Sequence, residues 1–105
     1  MNAELDLGDD LVITKTTRRS AGNGTWVEGT LHGHLFQALV FPDHAENEGY
    51  EIDDSRISKL WLQRIVDRVE VFHWDRGADR PAVDNVAQQI VDFLCAGLAE
   101  HIYGS

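Results

Sequence analysis

The hydrophobic period of this chain changes once, and that change decides its fold class. From Pro81 onward the apolar residues recur at helical spacing, as Val83, Val86, Ile90, Leu94 beside Phe93, Gly97, Leu98 and Ile102. Asp84, Gln88, Gln89, Asp92 and Glu100 mostly face away. The ordered stretches before Pro81 read instead as strands. A run of strands followed by one amphipathic helix gives an α+β domain: an antiparallel meander of about five strands packed on one C-terminal helix. The helix is expected over about residues 81–103. Proline is tolerated in its first turn because that N–H has no intrahelical partner. Asp79 and Asp84 suit the positive end of the helix dipole, and Gly104 supplies a left-handed stop.

Residues 1–10 carry four acids and no base and form an acidic lead-in; residues 11–105 form the single domain, with the strands within 11–75. The β-branched run Val12, Ile13, Thr14, Thr16 and Thr17 favours a strand over Leu11 to Arg19, and Ser20 to Gly24 reverse the chain. In Thr25 to Phe41, a two-residue loop at Gly33-His34 with glycine first suits a type II′ hairpin. That loop sets His32 opposite Leu35, Gly29 opposite Ala38 and Val27 opposite Val40. One face then reads Val27, Gly29, Leu31, Phe36, Ala38, Val40 and is the core face. The other face is mixed and half covered. Pro42 ends the strand, and the acid-rich stretch Asp43 to Ser55 reads as an exposed loop. Arg56, Lys59, Arg64 and Arg68 follow it and can neutralise its charge. Arg56 to Val66 and Arg68 to Trp74 supply two more strands joined near Val66-Asp67, and Trp74-Asp75-Arg76-Gly77 reads as a turn.

A chain of 105 residues holds one core. Its 18 Asp and Glu against 9 Lys and Arg give a formal charge of -9, which argues against nucleic acid or an anionic membrane as partner. The single cysteine, Cys95, excludes an internal disulfide and suits a reducing cytoplasm. Neither a signal peptide nor a membrane-spanning run is read in the sequence.

Trp26-Val27-x-Gly29-Thr30, then Gly33-x-x-Phe36-x-Ala38-x-Val40-Phe41, then Gly49-Tyr50-x-Ile52 and Ser55-Arg56-Ile57-Ser58-Lys59-Leu60 resemble a family of small bacterial and phage-associated proteins of unknown function. The likeness spans about the middle half of the chain. It implies one compact domain and brings no activity with it.

Chemistry-bearing residues are few. His32 and His34, two apart, can share a metal if both lie on one strand face. The turn between the two histidines works against that pair, so His32, His44, Glu46 and Glu48 are the candidate metal ligands. The loop lacks the alternating-acid order of a calcium site. Cys95 sits mid-helix among apolar neighbours as an inert thiol, and no nucleotide-binding fingerprint or nucleophile elbow is present. Trp26, Tyr50, Trp61, Phe72 and Trp74 are more large side chains than one sheet face and one helix hide, so some reach the second face.

The reading is therefore a small acidic, non-enzymatic interaction or regulatory module without a cofactor. It would self-associate, as a homodimer, through the second sheet face at Trp26 and Trp61, or dock a protein partner at Glu46, Glu48 and Glu51. The alternative is a protein that binds a small molecule or divalent metal with His32, His44 and the loop at 43–54. A third reading has the acidic loop mimic nucleic acid toward a basic groove.

Overall fold

The computed structural model describes residues 10–19, 24–46, 50–52 and 55–104. The lead-in at 1–9, the reversal at 20–23, Glu48 and Gly49, and Asp53 and Asp54 lie outside the described residues. Among the described residues, six strands in chain order form one antiparallel sheet: β1 (Val12–Arg18), β2 (Thr25–Leu31), β3 (His34–Val40), β4 (Ile57–Arg64), β5 (Val69–Asp75) and β6 (Ala78–Arg80). Each strand pairs with its sequence neighbours, and α1 (Asn85–Tyr103) closes the chain. This is the α+β meander with one C-terminal helix. The five long strands are those the β-branched and alternating runs imply. The three-residue β6 falls beyond residue 75, because the Asp75–Gly77 turn sends the chain back along β5. In that turn Arg76 and Gly77 both take positive φ, and Asp75 N–H donates to the Gly77 carbonyl.

The hairpin between β2 and β3 differs from the sequence reading. Its loop is His32-Gly33, both at positive φ (48° and 71°), so Leu31 pairs with His34, Gly29 with Phe36 and Val27 with Ala38. Two positive φ values are what a type I′ turn requires, and its twist matches that of the strands it joins. Glycine supplies one of them freely, and histidine is among the non-glycine residues enriched in that region. The pairing moved by two positions in total, an even shift, so each side chain keeps its face. Val27, Leu31, Phe36, Ala38 and Val40 are all buried, as the alternation demanded.

That face joins Ile57, Leu60, Leu62, Val71 and Phe72 in a core that α1 covers with Ala87, Ile90, Val91, Leu94, Leu98 and Ala99. The helix begins at Asn85 rather than near Pro81. Asp84 is its N-cap, with a carboxylate that accepts from Ala87 N–H at 2.8 Å, so it satisfies an orphan donor instead of facing away. Val83 consequently lies outside the helix and half exposed, and Ala87 and Val91 take the buried stripe. Gly104 ends the helix in the left-handed conformation, as expected. In the last turn the Tyr103 hydroxyl donates to the Val40 carbonyl at 2.9 Å and so accepts from the Thr25 hydroxyl at 2.9 Å, fastening helix to sheet.

The stretch after β3 is not uniformly exposed. Ile52 enters the core, and Ile52 and Ile57 join through a backbone hydrogen bond. Glu51 is only 8 % exposed: its carboxylate accepts from His44 Nδ1 at 2.9 Å and Ala45 N–H at 2.8 Å. A buried carboxylate must be hydrogen-bonded, and these two contacts meet that requirement.

Candidate functional site

One face of the sheet carries α1; the other carries no described element across its middle. Register gives its composition row by row. The first row runs Thr17, Trp26, Leu39, Lys59, Asp75, and the next Lys15, Glu28, Gln37, Trp61, His73, Arg80. The third runs Val12, Thr30, Leu35, Gln63, Glu70. Trp26 and Trp61 are partly exposed here, and Leu35 is 40 % exposed. Among the residues placed in these rows the formal charges cancel, with Lys15, Lys59 and Arg80 against Glu28, Glu70 and Asp75. Most are already engaged locally. Lys59 Nζ lies 3.6 Å from Asp75 and 6.0 Å from the centre of the Trp26 ring, and Arg80 lies 2.9 Å from Glu70. The Trp61 indole N–H donates to that same Glu70 carboxylate at 3.0 Å. The net charge of -9 therefore sits off this face.

At the Phe41 end the chain after β3 folds over the face and makes a cleft of about 410 Å³, within the range of small-ligand sites. Leu39 and Phe41 line it from β3 and its end. Asp43, His44, Glu46, Tyr50 and Glu51 line it from the following stretch, and Arg19, Arg56 and Arg76 come from three separate parts of the chain. Leu39 is only 1 % exposed although it is outside the helix-side core, and Gly24, just before β2, lies beside its side chain.

The suspected metal ligands are not brought together. His32 stands in the β2–β3 turn with Nδ1 3.4 Å from Asp10, whereas His44 lies beyond the other end of β3. A seven-residue strand separates them, roughly 20 Å of chain. His34 is buried with Nδ1 2.7 Å from the His32 carbonyl oxygen. Among the described residues no three His, Cys, Asp or Glu side chains gather as a metal site would need. Glu46 lines the cleft, Glu48 is outside the described residues, and Glu51 faces inward rather than toward a partner. Lys59 and Arg64 pair with Asp75, and with Asp67 and Asp84, rather than with the acidic stretch.

A family described as "Domain of unknown function (DUF7678)" matches residues 25–99. The chain belongs to that family. The DUF7678 match runs from β2 through most of α1, so it reaches well past the middle half and takes in the helix that the sequence motifs did not cover. It includes Trp26, Trp61, Arg56 and Arg76, and leaves out β1, Arg19 and Tyr103. No curated protein and no solved structure matches the chain. No helix among the described residues is long and apolar enough to cross a membrane.

Sequence reasoning reached Trp26 and Trp61 because bulky side chains at outward strand positions are visible in the alternation. It missed Arg19, Phe41 and Arg76. Nothing local marks residues that meet only because three strand ends converge.

Proposed function

We propose that this chain is a small non-enzymatic binding module that self-associates, with the uncovered sheet face packed against the same face of a second copy. The observation behind this reading is the charge balance of that face. Two chains of charge -9 repel each other, and the approach that costs least presents surfaces whose charges cancel. The open face has that property, and its ion pairs and the Trp61–Glu70 hydrogen bond are already made, so burying it strands few polar groups. Trp26, Trp61 and Leu35 supply the apolar area, and tryptophans are the usual anchors of an interface.

Pairing through sheet edges is less suited. β1 carries a bulge at Thr14 with Lys15 beside it, and β6 is three residues long; both features blunt strand addition. The setting we take for the module is the cytoplasm of a bacterium or a phage-associated context, in keeping with the sequence resemblance and the lone cysteine. The metal half of the alternative reading lacks a ligand set among the described residues, and its small-molecule half passes to the cleft.

Light scattering over a concentration series tests the proposal. The expected particle has twice the 11.8 kDa chain mass. Trp61→Ala and Gln37→Arg, the latter an exposed position mid-face that would set like charges opposite each other, should each shift the equilibrium to monomer. A wild-type chain that stays monomeric, or a dimer indifferent to both substitutions, would sink the reading.

A further inference from the structure

Two depressions in the open face share a wall. The larger, about 220 Å³, is lined by Trp26, Gln37 and Trp61 together with Lys59 and Asp75. The smaller, about 90 Å³, is lined by Glu28 and Leu35 and again by Gln37 and Trp61. Trp61 and Gln37, paired across β3 and β4, therefore form a ridge between them. The ridge is braced from behind. One oxygen of the Glu70 carboxylate accepts from the Trp61 indole N–H at 3.0 Å, and the other accepts from Arg80 Nε at 2.9 Å. These bonds fix the plane of a half-buried indole, so little freedom remains to be lost when something stacks on it. The donors beside the ridge are open. Among the described residues neither the Gln37 amide nor the Trp26 indole N–H has a hydrogen-bond partner, and no buried side-chain polar atom is left unsatisfied, so the Trp26 N–H reaches solvent.

Both depressions are smaller than the roughly 300–1,000 Å³ of sites that enclose a small molecule, so they suit a chain laid across the ridge. Lys59 and Asp75 neutralise each other at 3.6 Å, which favours an uncharged chain. Open N–H groups ask for a ligand rich in acceptors. We propose that the Trp26–Trp61 groove binds an uncharged proline-rich segment of another protein. Each proline keeps its carbonyl, has no N–H to leave unpaired, and offers an apolar ring to an indole. A polyproline II helix presents the same face every three residues, about 9.3 Å. The strands that carry Trp26 and Trp61 lie two spacings apart, roughly 9.6 Å, so a segment crossing them sets one turn against each tryptophan. Such a helix is also formed before it docks, which keeps the ordering cost low. The groove does not rest on the pairing proposed above. A second copy on this face would cover it, so the segment and self-association exclude each other.

The probe is octaproline, acetylated and amidated to carry no charge, titrated into the ¹⁵N-labelled full chain and followed by NMR. A glycine-serine peptide of equal length and maltohexaose are the comparisons. Expected are saturable shifts of the Trp26 indole and Gln37 amide side-chain signals with octaproline, and none with the other two. Trp61→Ala should weaken binding about tenfold or more, and Trp26→Ala carries the same expectation should the first variant disturb β4. Where the parent chain pairs, light scattering should show octaproline halving the particle mass. Thr30→Arg places a charge on the face outside both depressions and opposes pairing, so octaproline should bind that variant whether or not the parent self-associates. No saturable shift in the parent or in Thr30→Arg, an equal response to the glycine-serine peptide, binding of maltohexaose alone, or an affinity unchanged by both tryptophan substitutions would each overturn the proposal.

Discussion

Gly29→Ala is the smallest change that tests how the sheet is built. Gly29 lies on the core face of β2, paired with Phe36 across the β3 side and with Ile13 across the β1 side. A Cβ built there would collide with the Val12 carbonyl oxygen and stand 2.8 and 2.9 Å from two carbons of the Phe36 ring. Ordinary carbon contacts lie near 3.5–4.0 Å, so something must move by at least about half an ångström. The ring can turn only into a filled core, since Phe36 is among the largest fully buried side chains. The carbonyl is backbone and can retreat only if β1 moves away. Overpacking of this kind costs about 1–3 kcal/mol, and the backbone clash puts this case toward the upper end. Reduced freedom of the unfolded chain returns about 0.4–1 kcal/mol. A net loss of about 2 kcal/mol corresponds to a melting temperature lower by roughly 8–16 °C at this size.

Thermal unfolding by circular dichroism measures that loss, and hydrogen exchange should show β1 amides losing protection before those of β3. Gly97→Ala is the control for the same chemical change. Gly97 is helical and its added Cβ meets nothing within 4 Å, so alanine should stabilise by roughly 0.8–1 kcal/mol. A Gly29→Ala protein that melts within about 2 °C of the parent, less than roughly half a kcal/mol, would refute the close packing of β1, Gly29 and Phe36.

Two further outcomes follow from contacts away from the open face. Tyr103→Phe removes the hydroxyl shared by Val40 and Thr25 and leaves both without it, so it should cost about 1–2 kcal/mol by urea denaturation; an unchanged midpoint would mean the latch contributes nothing. The hydrogen bonds from Arg64, and its charge, hold the exposed Asp67 carboxyl below its ordinary 3.8, so the pair's stabilisation is present above about pH 4 and fades as pH falls through the lowered value. In Arg64→Gln the Asp67 carboxyl should titrate at higher pH by ¹³C NMR, and identical midpoints in the two proteins would show that the pair does not form in solution.

What the sequence determined, it determined through periodicity. The apolar alternation of Val27 to Val40 named the core face correctly even though the turn was placed one residue late, because an even change of register preserves which side chains point inward. The β-branched run at Val12 to Thr17 and the helical stripe ending at Gly104 were equally plain, since strand and helix periods are local properties. Local chemistry was less decisive where two options competed. His32-Gly33 and Gly33-His34 both offer a glycine, and the choice rests on which loop twists with the strands. Pro81 and Asp84 both mark a helix start, and the residue whose carboxylate reaches Ala87 N–H set the boundary.

The candidate sites belong to the tertiary structure. His32 and His44 look close in the chain, yet an intervening strand carries one to each end of the sheet. Glu51 reads as one more acid in an acidic loop, until the burial of Ile52 draws it inward and His44 and Ala45 receive its charge. Arg19, Arg56 and Arg76 share no motif and meet only because the meander brings the ends of β1, β3, β4 and β5 to one corner. The neutrality of the open face, inside a chain of charge -9, is likewise a consequence of register. Which charges stand opposite one another across six strands is fixed by hydrogen-bonded pairing over long separations, and a one-dimensional pattern of charges does not encode it.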